Sequence, residues 1–204
     1  MHLTGDREAI AWHGPSTTYG GSEYGEMIVA LRQFLGSLAA ARPDSATVNE
    51  LISDLQQWKP RLDAFAVGEP DQVYARRADL VGRGQATWPA ITFTHVDDEL
   101  VEGYVCFDRY FLGRNGVVHG GAITMIFDEA TGYLANSGNR TMGRTVNLNT
   151  NFRAPAPIEV DLQLTVRFLR EEGRKRFLHV ALHHGETLCA EADALMITLL
   201  PGQK

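Results

Sequence analysis

The chain has 204 residues, of which 44% are hydrophobic and 22% are charged, and its formal net charge is −6. These values fit a globular protein with one well-cored domain, or one domain with an extension. The negative charge argues against a general nucleic-acid-binding role, because such proteins need a broad basic surface. It still allows one local basic patch for a phosphorylated ligand.

The two cysteines and the start of the chain indicate a reducing, cytoplasmic setting. Cys106 and Cys189 each lie in an apolar, strand-like run and form neither a disulfide framework nor a metal-binding pattern. Residues 1–14 lack the basic and apolar segments of a signal peptide. No apolar run reaches the roughly 20 residues that span a bilayer. We therefore expect inert thiols, no metal site and no membrane span.

Residues 1–72 are predicted to form an N-terminal extension. Residues 1–24 have no periodicity, whereas apolar residues recur at helical spacing from Glu26 onward. The sequence ArgProAspSer at 42–45 interrupts this pattern, and a second amphipathic stretch follows it. A helical hairpin is therefore expected over residues 26–66.

Residues 73–204 are predicted to form the main domain. After an aperiodic connector over residues 67–90, one helix is expected within residues 116–136, preceded by an irregular loop at 108–115. A charged turn is expected at 170–176. Strands are expected on both sides of the helix, at 90–96, 102–107, 144–153, 160–169, 177–183 and 188–199. The order β-β-α-β-β-β-β predicts an α+β fold in which the helix packs on an antiparallel sheet.

The segment 116–136 carries the residues best suited to chemistry. His119, Gly120 and Gly121 open the helix, where unpaired backbone N–H groups and the positive end of the helix dipole can hold an oxyanion. Asp128 lies nine residues after His119 in an otherwise apolar stretch. Oxyanion donors combined with a single carboxylate are the equipment of acyl transfer or hydrolysis.

Two faces of this helix are predicted from a rotation of about 100° per residue. An apolar face should meet the sheet and comprises Ile123, Ile126, Phe127, Ala130 and Leu134. A face of small residues with one carboxylate should admit a second helix or a ligand and comprises Gly121, Thr124, Asp128, Thr131, Gly132 and Ala135. Glu129 lies about 100° from Asp128 and is expected to be a salt-bridging or interface acid.

The spacing along the helix argues for a shared site. Gly120 and Asp128 are eight residues apart, which is about 12 Å in a helix. An oxyanion donor and an attacking group that serve one carbonyl must lie within roughly 7 Å of each other. Two helices packed antiparallel would place Gly120 of one copy beside Asp128 of the other. The sequence therefore predicts a homodimer with two shared sites.

The His-Gly-Gly triplet at 119–121, with Asp128 nine residues after the histidine, resembles the hotdog-fold acyl-CoA thioesterases of the PaaI and thioesterase-superfamily branch. Residues 145–177 resemble the strand-turn-strand that follows the helix in mammalian members. The resemblance covers residues 88–200 and implies an antiparallel sheet wrapped around one long central helix. It also implies hydrolysis of acyl-CoA, with coenzyme A as part of the substrate and no retained cofactor, by a homodimer or a dimer of dimers.

The resemblance further implies a role for each residue of the site. Asp128 would be the catalytic carboxylate, either as general base on a water or as direct nucleophile. The Gly120 N–H would polarise the thioester carbonyl from the partner subunit. His119 would shape this loop or contact the carbonyl, rather than act as the base. Thr145 would position the water or the carboxylate.

Substrate contacts are expected near this site and from a basic cluster. Relatives often carry an Asn or Gln where this chain has Gly113, and Asn115 is the nearest substitute. The phosphates of coenzyme A need cations, which the basic residues at 170–176 could supply. The residues expected to bind substrate are Gly121, Asn115, Asn147, Arg153, Arg174 and Lys175.

The expected substrate is a medium- to long-chain fatty acyl-CoA. Its acyl chain would occupy a tunnel lined by residues such as Ile123, Phe127 and Phe152, with Asp128 buried beside it and the helices of 26–66 as a cap. A hotdog hydratase or dehydratase is one alternative, although no histidine stands at a recognisable spacing from an acid. A non-catalytic acyl-CoA-binding protein is the other.

Overall fold

The computed structural model describes residues 17–202, so the expectations for residues 1–16 lie outside the described residues. The helices are α1 (Glu23–Ala40), α2 (Ser45–Asp63) and α3 (Gly120–Ala135), and short 3-10 turns lie at Glu69–Asp71, Val81–Gly84 and Arg109–Phe111. The strands are β1 (Ile91–Val96), β2 (Leu100–Cys106), β3 (Leu112–Arg114), β4 (Val117–Val118), β5 (Gly143–Phe152), β6 (Asp161–Glu172), β7 (Lys175–His184) and β8 (Thr187–Thr198).

Six antiparallel strands form one sheet in the order β1-β2-β6-β7-β8-β5, and α3 packs across it. Buried and less buried residues alternate along β2, β6, β7 and much of β8, as a side-chain period of two requires. On β6, for example, Leu162, Leu164 and Val166 are buried. This is the hotdog fold, and the α+β architecture expected from the sequence is confirmed.

The apolar stripe of α3 meets the sheet as its spacing predicts. All five residues of that stripe are buried, namely Ile123, Ile126, Phe127, Ala130 and Leu134. The prediction for the small-residue face was wrong in two positions, because Thr131 and Ala135 are also buried. The Thr131 hydroxyl donates to the Phe127 carbonyl within the helix (2.7 Å). The small-residue face that remains accessible therefore comprises Gly121, Thr124, Asp128 and Gly132.

The hairpin between β6 and β7 is tighter than expected. The sequence predicts a charged turn over residues 170–176, but the two strands continue through most of this segment. Opposite charges stabilise the extension, since Glu171 lies across from Arg176 with 3.2 Å between Oε1 and Nε. Gly173 makes the short connection with a φ of 59°. Arg176 is buried and donates to the Ala135 carbonyl at the end of α3 (2.7 Å), so it serves the fold rather than a ligand phosphate.

A small hairpin, β3–β4, replaces the irregular loop expected over residues 108–115. Asn115 and Gly116 form its two-residue turn with φ values of 53° and 75°. Positive φ at both positions is the geometry that an Asn-Gly pair favours in a type I′ turn. Gly113 permits a close backbone approach, because a Cβ there would lie 3.2 Å from the His119 Cα. The hairpin thereby fixes the start of α3.

Strand β5 lies at one edge of the sheet, paired with β8, and contains a bulge. The register shifts between Thr145 and Asn147, so Val146 is the extra residue. Thr145 consequently lies opposite the buried Met196, whereas Asn147 lies opposite Leu195 on the other face of the sheet. Simple alternation predicts that Thr145 and the asparagines of β5 share a face, and the bulge makes that prediction wrong.

The two N-terminal helices differ in how they contact the rest of the chain. Helix α1 buries Ile28 and packs on the turns Val81–Gly84 and Arg109–Phe111. Helix α2 begins after Asp44, whose carboxylate accepts the Thr47 N–H (2.8 Å), and none of its residues is buried. Neither helix lines the cleft described below. The domain boundary at residue 72 stays a prediction. Within residues 17–202, the helices are too short or too polar to cross a bilayer.

Candidate active site

His119 is the N-cap of α3. Its Nδ1 accepts the N–H of Gly121 at 3.0 Å, and this bond satisfies one of the donors left free at a helix start. The imidazole is otherwise exposed. This geometry supports a role for His119 in shaping the loop.

Gly120 presents a backbone donor at a cleft. Its N–H makes no hydrogen bond with any residue of the described range 17–202. Gly120 lines a cleft of about 390 Å³ whose other walls come from β4, α3, Phe152 and the segment 153–156. The cleft is mostly apolar, and it lies at the positive end of the α3 dipole. A carbonyl oxygen that develops negative charge would be stabilised there.

Asp128 lies two helical turns further along α3 and is exposed in the single chain. The sequence predicts a carboxylate buried beside an apolar channel, and this prediction was wrong for the chain alone, because Asp128 projects from the accessible small-residue face. The rise of about 12 Å between Gly120 and Asp128 keeps them from serving one carbonyl within one chain. Phe127, expected in the tunnel, lies in the core, whereas Ile123 and Phe152 do line the cleft.

Glu129, the neighbour of Asp128, forms an ion pair with Arg83. Nη2 of Arg83 lies 2.7 Å from each carboxylate oxygen of Glu129, whose side chain is only 14% exposed. Burial raises the pKa of Glu129, the nearby charge of Asp128 raises it further, and the Arg83 guanidinium opposes both. The expectation that Glu129 is a salt-bridging acid is confirmed.

The structure brings Thr145, but not Asn147, to the sheet face that α3 covers. Asn147 lies on the outer face of β5 because of the bulge. Arg153 lines the cleft, yet its Nε and Nη2 already bind Glu191 Oε1 at 2.9 and 2.7 Å. Asn115 occupies the β3–β4 turn, and its side chain is exposed.

The two remaining predicted cations lie far from the cleft within one chain. Arg174 donates to the Thr198 carbonyl at 3.0 Å, and Lys175 is exposed. Through β8, Lys175 is aligned with Arg144 at the start of β5. Arg144 and Phe152 are eight residues apart, which is about 27 Å along a strand. A single chain therefore does not bring these cations to Gly120.

Sequence reasoning missed two residues near the site. Arg83 lies in a stretch without periodicity, and the two glycines beside it were the available signal. Thr150 lies on the α3 side of β5, opposite the buried Ala192, and its Oγ1 is buried with no partner within residues 17–202. Buried hydroxyls normally have a partner, so this atom is a candidate contact for a bound group.

Other catalytic chemistries lack support in the described part of the chain. Burial raises the pKa of the Cys106 thiol to about 11 and also raises that of Cys189. Both groups are therefore poor nucleophiles near neutral pH. No cluster of three or more His, Cys, Asp or Glu side chains between residues 17 and 202 is placed to hold a metal ion.

The family model of the thioesterase superfamily matches residues 115–192. The matched segment makes up less than half of the chain. It includes α3 and most of the sheet, and with them Gly120, Asp128 and Thr145. Arg83 lies outside the matched segment.

Two mammalian proteins named acyl-coenzyme A thioesterase are similar to part of this chain. The chain is 38% identical over 91 residues to acyl-coenzyme A thioesterase THEM4 of Mus musculus, covering 44% of this chain and 39% of the relative. It is 37% identical over 94 residues to THEM4 of Bos taurus, covering 45% and 38%. The chain thus matches about two fifths of the length of these relatives.

Solved structures share the fold. The thioesterase-superfamily protein RHA08564 has a TM-score of 0.74 at 20% identity, covering 93% of this chain and 96% of that chain. The protein smu.793 of Streptococcus mutans UA159, whose structure was solved bound to acetyl-CoA, has a TM-score of 0.51 at 16% identity, covering 53% and 88%. The likeness to RHA08564 therefore extends well beyond the superfamily segment.

Proposed function

We propose that this chain hydrolyses acyl-CoA thioesters to a free acid and coenzyme A, as a homodimer with two shared sites. The observation that carries this proposal is the Gly120 N–H, which has no acceptor in the described chain and lies at an apolar cleft of about 390 Å³. The match to the superfamily model and the relatives named acyl-coenzyme A thioesterase support the same reaction. The apolar side chains of Val118, Ile123 and Phe152 suit a medium- to long-chain fatty acyl group.

The free edge of the sheet supports the dimer. Strand β5 has ten residues, and an edge of this length offers a row of unpaired N–H and C=O groups to a partner strand. Antiparallel pairing of β5 with its copy would join the two sheets and set two α3 helices side by side. The small-residue face of α3 would let those helices approach closely. Asp128 would then be covered, next to Gly120 of the other copy. Assembly of two dimers stays a prediction.

The same pairing would bring the distant cations to the cleft. If the two β5 strands pair around Leu148, the bulge at Val146 brings Arg144 of one copy close to Asn151 and Phe152 of the other. Lys175 lies two strands from Arg144, or about 10 Å. Arg174 and Lys175 of one copy would thus approach the cleft of the other, where they would bind the phosphates of coenzyme A.

The proposed reaction uses the two halves of the site together. The thioester oxygen accepts the Gly120 N–H of one copy. Asp128 of the other copy takes a proton from water as the water oxygen bonds to the carbonyl carbon, or attacks that carbon itself. The helix start stabilises the resulting oxyanion. The C–S bond then breaks, and the thiolate of coenzyme A leaves and is protonated. If water attacked, the free acid is formed directly. If Asp128 attacked, a mixed anhydride remains on its carboxylate, and a water molecule hydrolyses it to release the free acid and regenerate Asp128. This chemistry requires no retained cofactor.

A thiol-release assay across short, medium and long acyl-CoA substrates tests the proposal. Wild type should release coenzyme A at least about 100-fold faster than Asp128→Ala, as expected for loss of a general base or nucleophile. Equal background rates for both proteins would instead favour an acyl-CoA-binding role. Hydration of crotonyl-CoA without thiol release would favour a hydratase. The cytoplasmic location stays a prediction from the sequence.

A further inference from the structure

Arg83 is presented to α3 by a turn with an unusual backbone. Gly82, Arg83 and Gly84 all have positive φ, at 67°, 55° and 71°. Arginine rarely adopts this conformation, so the surrounding contacts must hold the turn in place. A Cβ on Gly82 would lie 2.9 Å from Arg32 Nη2, so a side chain at position 82 would displace the Arg32 guanidinium.

Helix α1 supplies the contacts that hold this turn. Nη2 of Arg32 donates to the Gln85 carbonyl at 2.6 Å and to the Trp88 carbonyl at 2.9 Å. These charge-assisted bonds flank the segment that follows Arg83. The N-terminal extension is thereby tied to the turn, and the turn is tied through Arg83 to Glu129.

Within residues 17–202, two elements bring charges close to Glu129. Arg83 approaches from the turn at 2.7 Å, and Asp128 is the adjacent residue on α3. Two neighbouring carboxylates repel each other when both are ionised. Without a cation to balance them, a proton binds to the pair more readily. Arg83, itself only 22% exposed, is the balancing cation in this arrangement.

We propose that Arg83 is a positioning residue of the thioesterase site, which fixes Glu129 beside Asp128 and balances the charge of this acidic pair. This inference rests on the proposed function and deepens it. It also gives the N-terminal extension a role in the site, because α1 holds the turn that presents Arg83.

The pH profile of kcat/KM for thiol release separates this role from a structural one. It should be measured on the full chain from about pH 5 to about pH 9. In Arg83→Leu the acid limb of this profile, where kcat/KM falls at low pH, should move up by about one pH unit. The reason is that Asp128 and Glu129 lose the cation that balances them. Adding Glu129→Gln to Arg83→Leu should return the limb towards wild type, since one of the two repelling charges is gone. Arg83→Lys should keep the wild-type limb.

A matched control is Arg109→Leu. It removes the ion pair between Arg109 and Glu159 (2.6 Å), which is distant from Asp128 and Glu129, and it should leave the pH profile unchanged. A folded Arg83→Leu with a wild-type acid limb would overturn the proposal, as would a double variant that keeps the shifted limb. If Arg83→Leu does not fold, the single variant Glu129→Gln decides the question. The acid limb of its pH profile should move to lower pH, because Arg83 then acts on Asp128 alone. An acid limb at the wild-type pH would overturn the positioning role of Arg83. A wild-type protein that releases no thiol would overturn the proposed thioesterase function itself. This outcome is distinct from a failure of the role proposed for Arg83, in which wild type is active.

Discussion

Gly120 lies directly against the ring of Phe152, since a Cβ placed on Gly120 would come 3.0 Å from Phe152 Cζ. The contact joins the start of α3 to the end of β5 and forms one wall of the cleft. A side chain at position 120 would therefore displace this ring, and the Gly120 N–H is the proposed donor to the thioester.

Gly120→Ala should impair activity more than stability. The exposed Phe152 ring can move away from the new methyl group, so the fold should persist, but the shifted ring would displace the thioester from the N–H. A displacement near 1 Å lowers kcat/KM by about 100-fold. Thiol release and thermal unfolding measure the two effects. Gly36→Ala is the control, because its Cβ meets nothing within 4 Å in α1 and the variant should keep full activity. Wild-type kcat/KM in Gly120→Ala would contradict the assigned role.

His119→Ala should destabilise the protein by about 1 kcal/mol, because α3 loses the side chain that accepts the Gly121 N–H. His119→Asn should recover most of this loss, since asparagine is a favourable N-cap. Urea unfolding of the three proteins measures the difference. Equal stability of the alanine and asparagine variants would show that the cap bond contributes little.

The β5 edge can be tested with charges. If the copies pair around Leu148, Asn147 of one lies opposite Asn149 of the other. The variant Asn147→Glu/Asn149→Glu would then bring like charges together and should be monomeric in light scattering, and so should Asn147→Lys/Asn149→Lys. Mixing the two variants should restore a dimer, because opposite charges now meet. Variants that remain dimeric on their own would place the interface elsewhere.

The stability of the folded chain should depend on pH through Glu129. Burial raises the pKa of Glu129 above its ordinary value of 4.5, so the folded state binds this proton more tightly than the unfolded state. The resulting contribution to the free energy of unfolding is full below about pH 4.5 and is lost as the pH rises through the folded-state pKa. The stability of wild type minus that of Glu129→Gln should therefore fall over this range. A difference that stays flat or rises would contradict the assignment.

The sequence predicted the helices and strands in which apolar residues recur with the period of the element and face the core. The stripe of α3 has a period near 3.6 and meets a sheet, so Ile126 and Leu134 could be placed in the core from the sequence. The strands were found for the same reason. The Asn115-Gly116 pair also carried a hairpin signal, which the expectation of a loop left unused.

Features that depend on distant partners could not be found in this way. The bulge at Val146 is set by the register with β8, and it turns Thr145 away from Asn147. The Arg83–Glu129 pair spans 46 residues and depends on a left-handed turn, which the sequence of a connector does not specify. The sequence therefore predicts part of the site. It identifies the residues of α3, but not the groups that other elements bring close to them.

Mixed dimers offer the sharpest test of a site shared between copies. Gly120→Ala should damage the donor half of each site, and Asp128→Ala should damage the acid half. A mixed dimer would place both changes in one site and leave the other site intact. Random mixing makes half of the dimers mixed, so activity should recover to about a quarter of wild type. Coexpression with two affinity tags, followed by thiol release, measures this recovery. If the mixed dimer is no more active than its parents, Gly120 and Asp128 do not serve one carbonyl across the two chains.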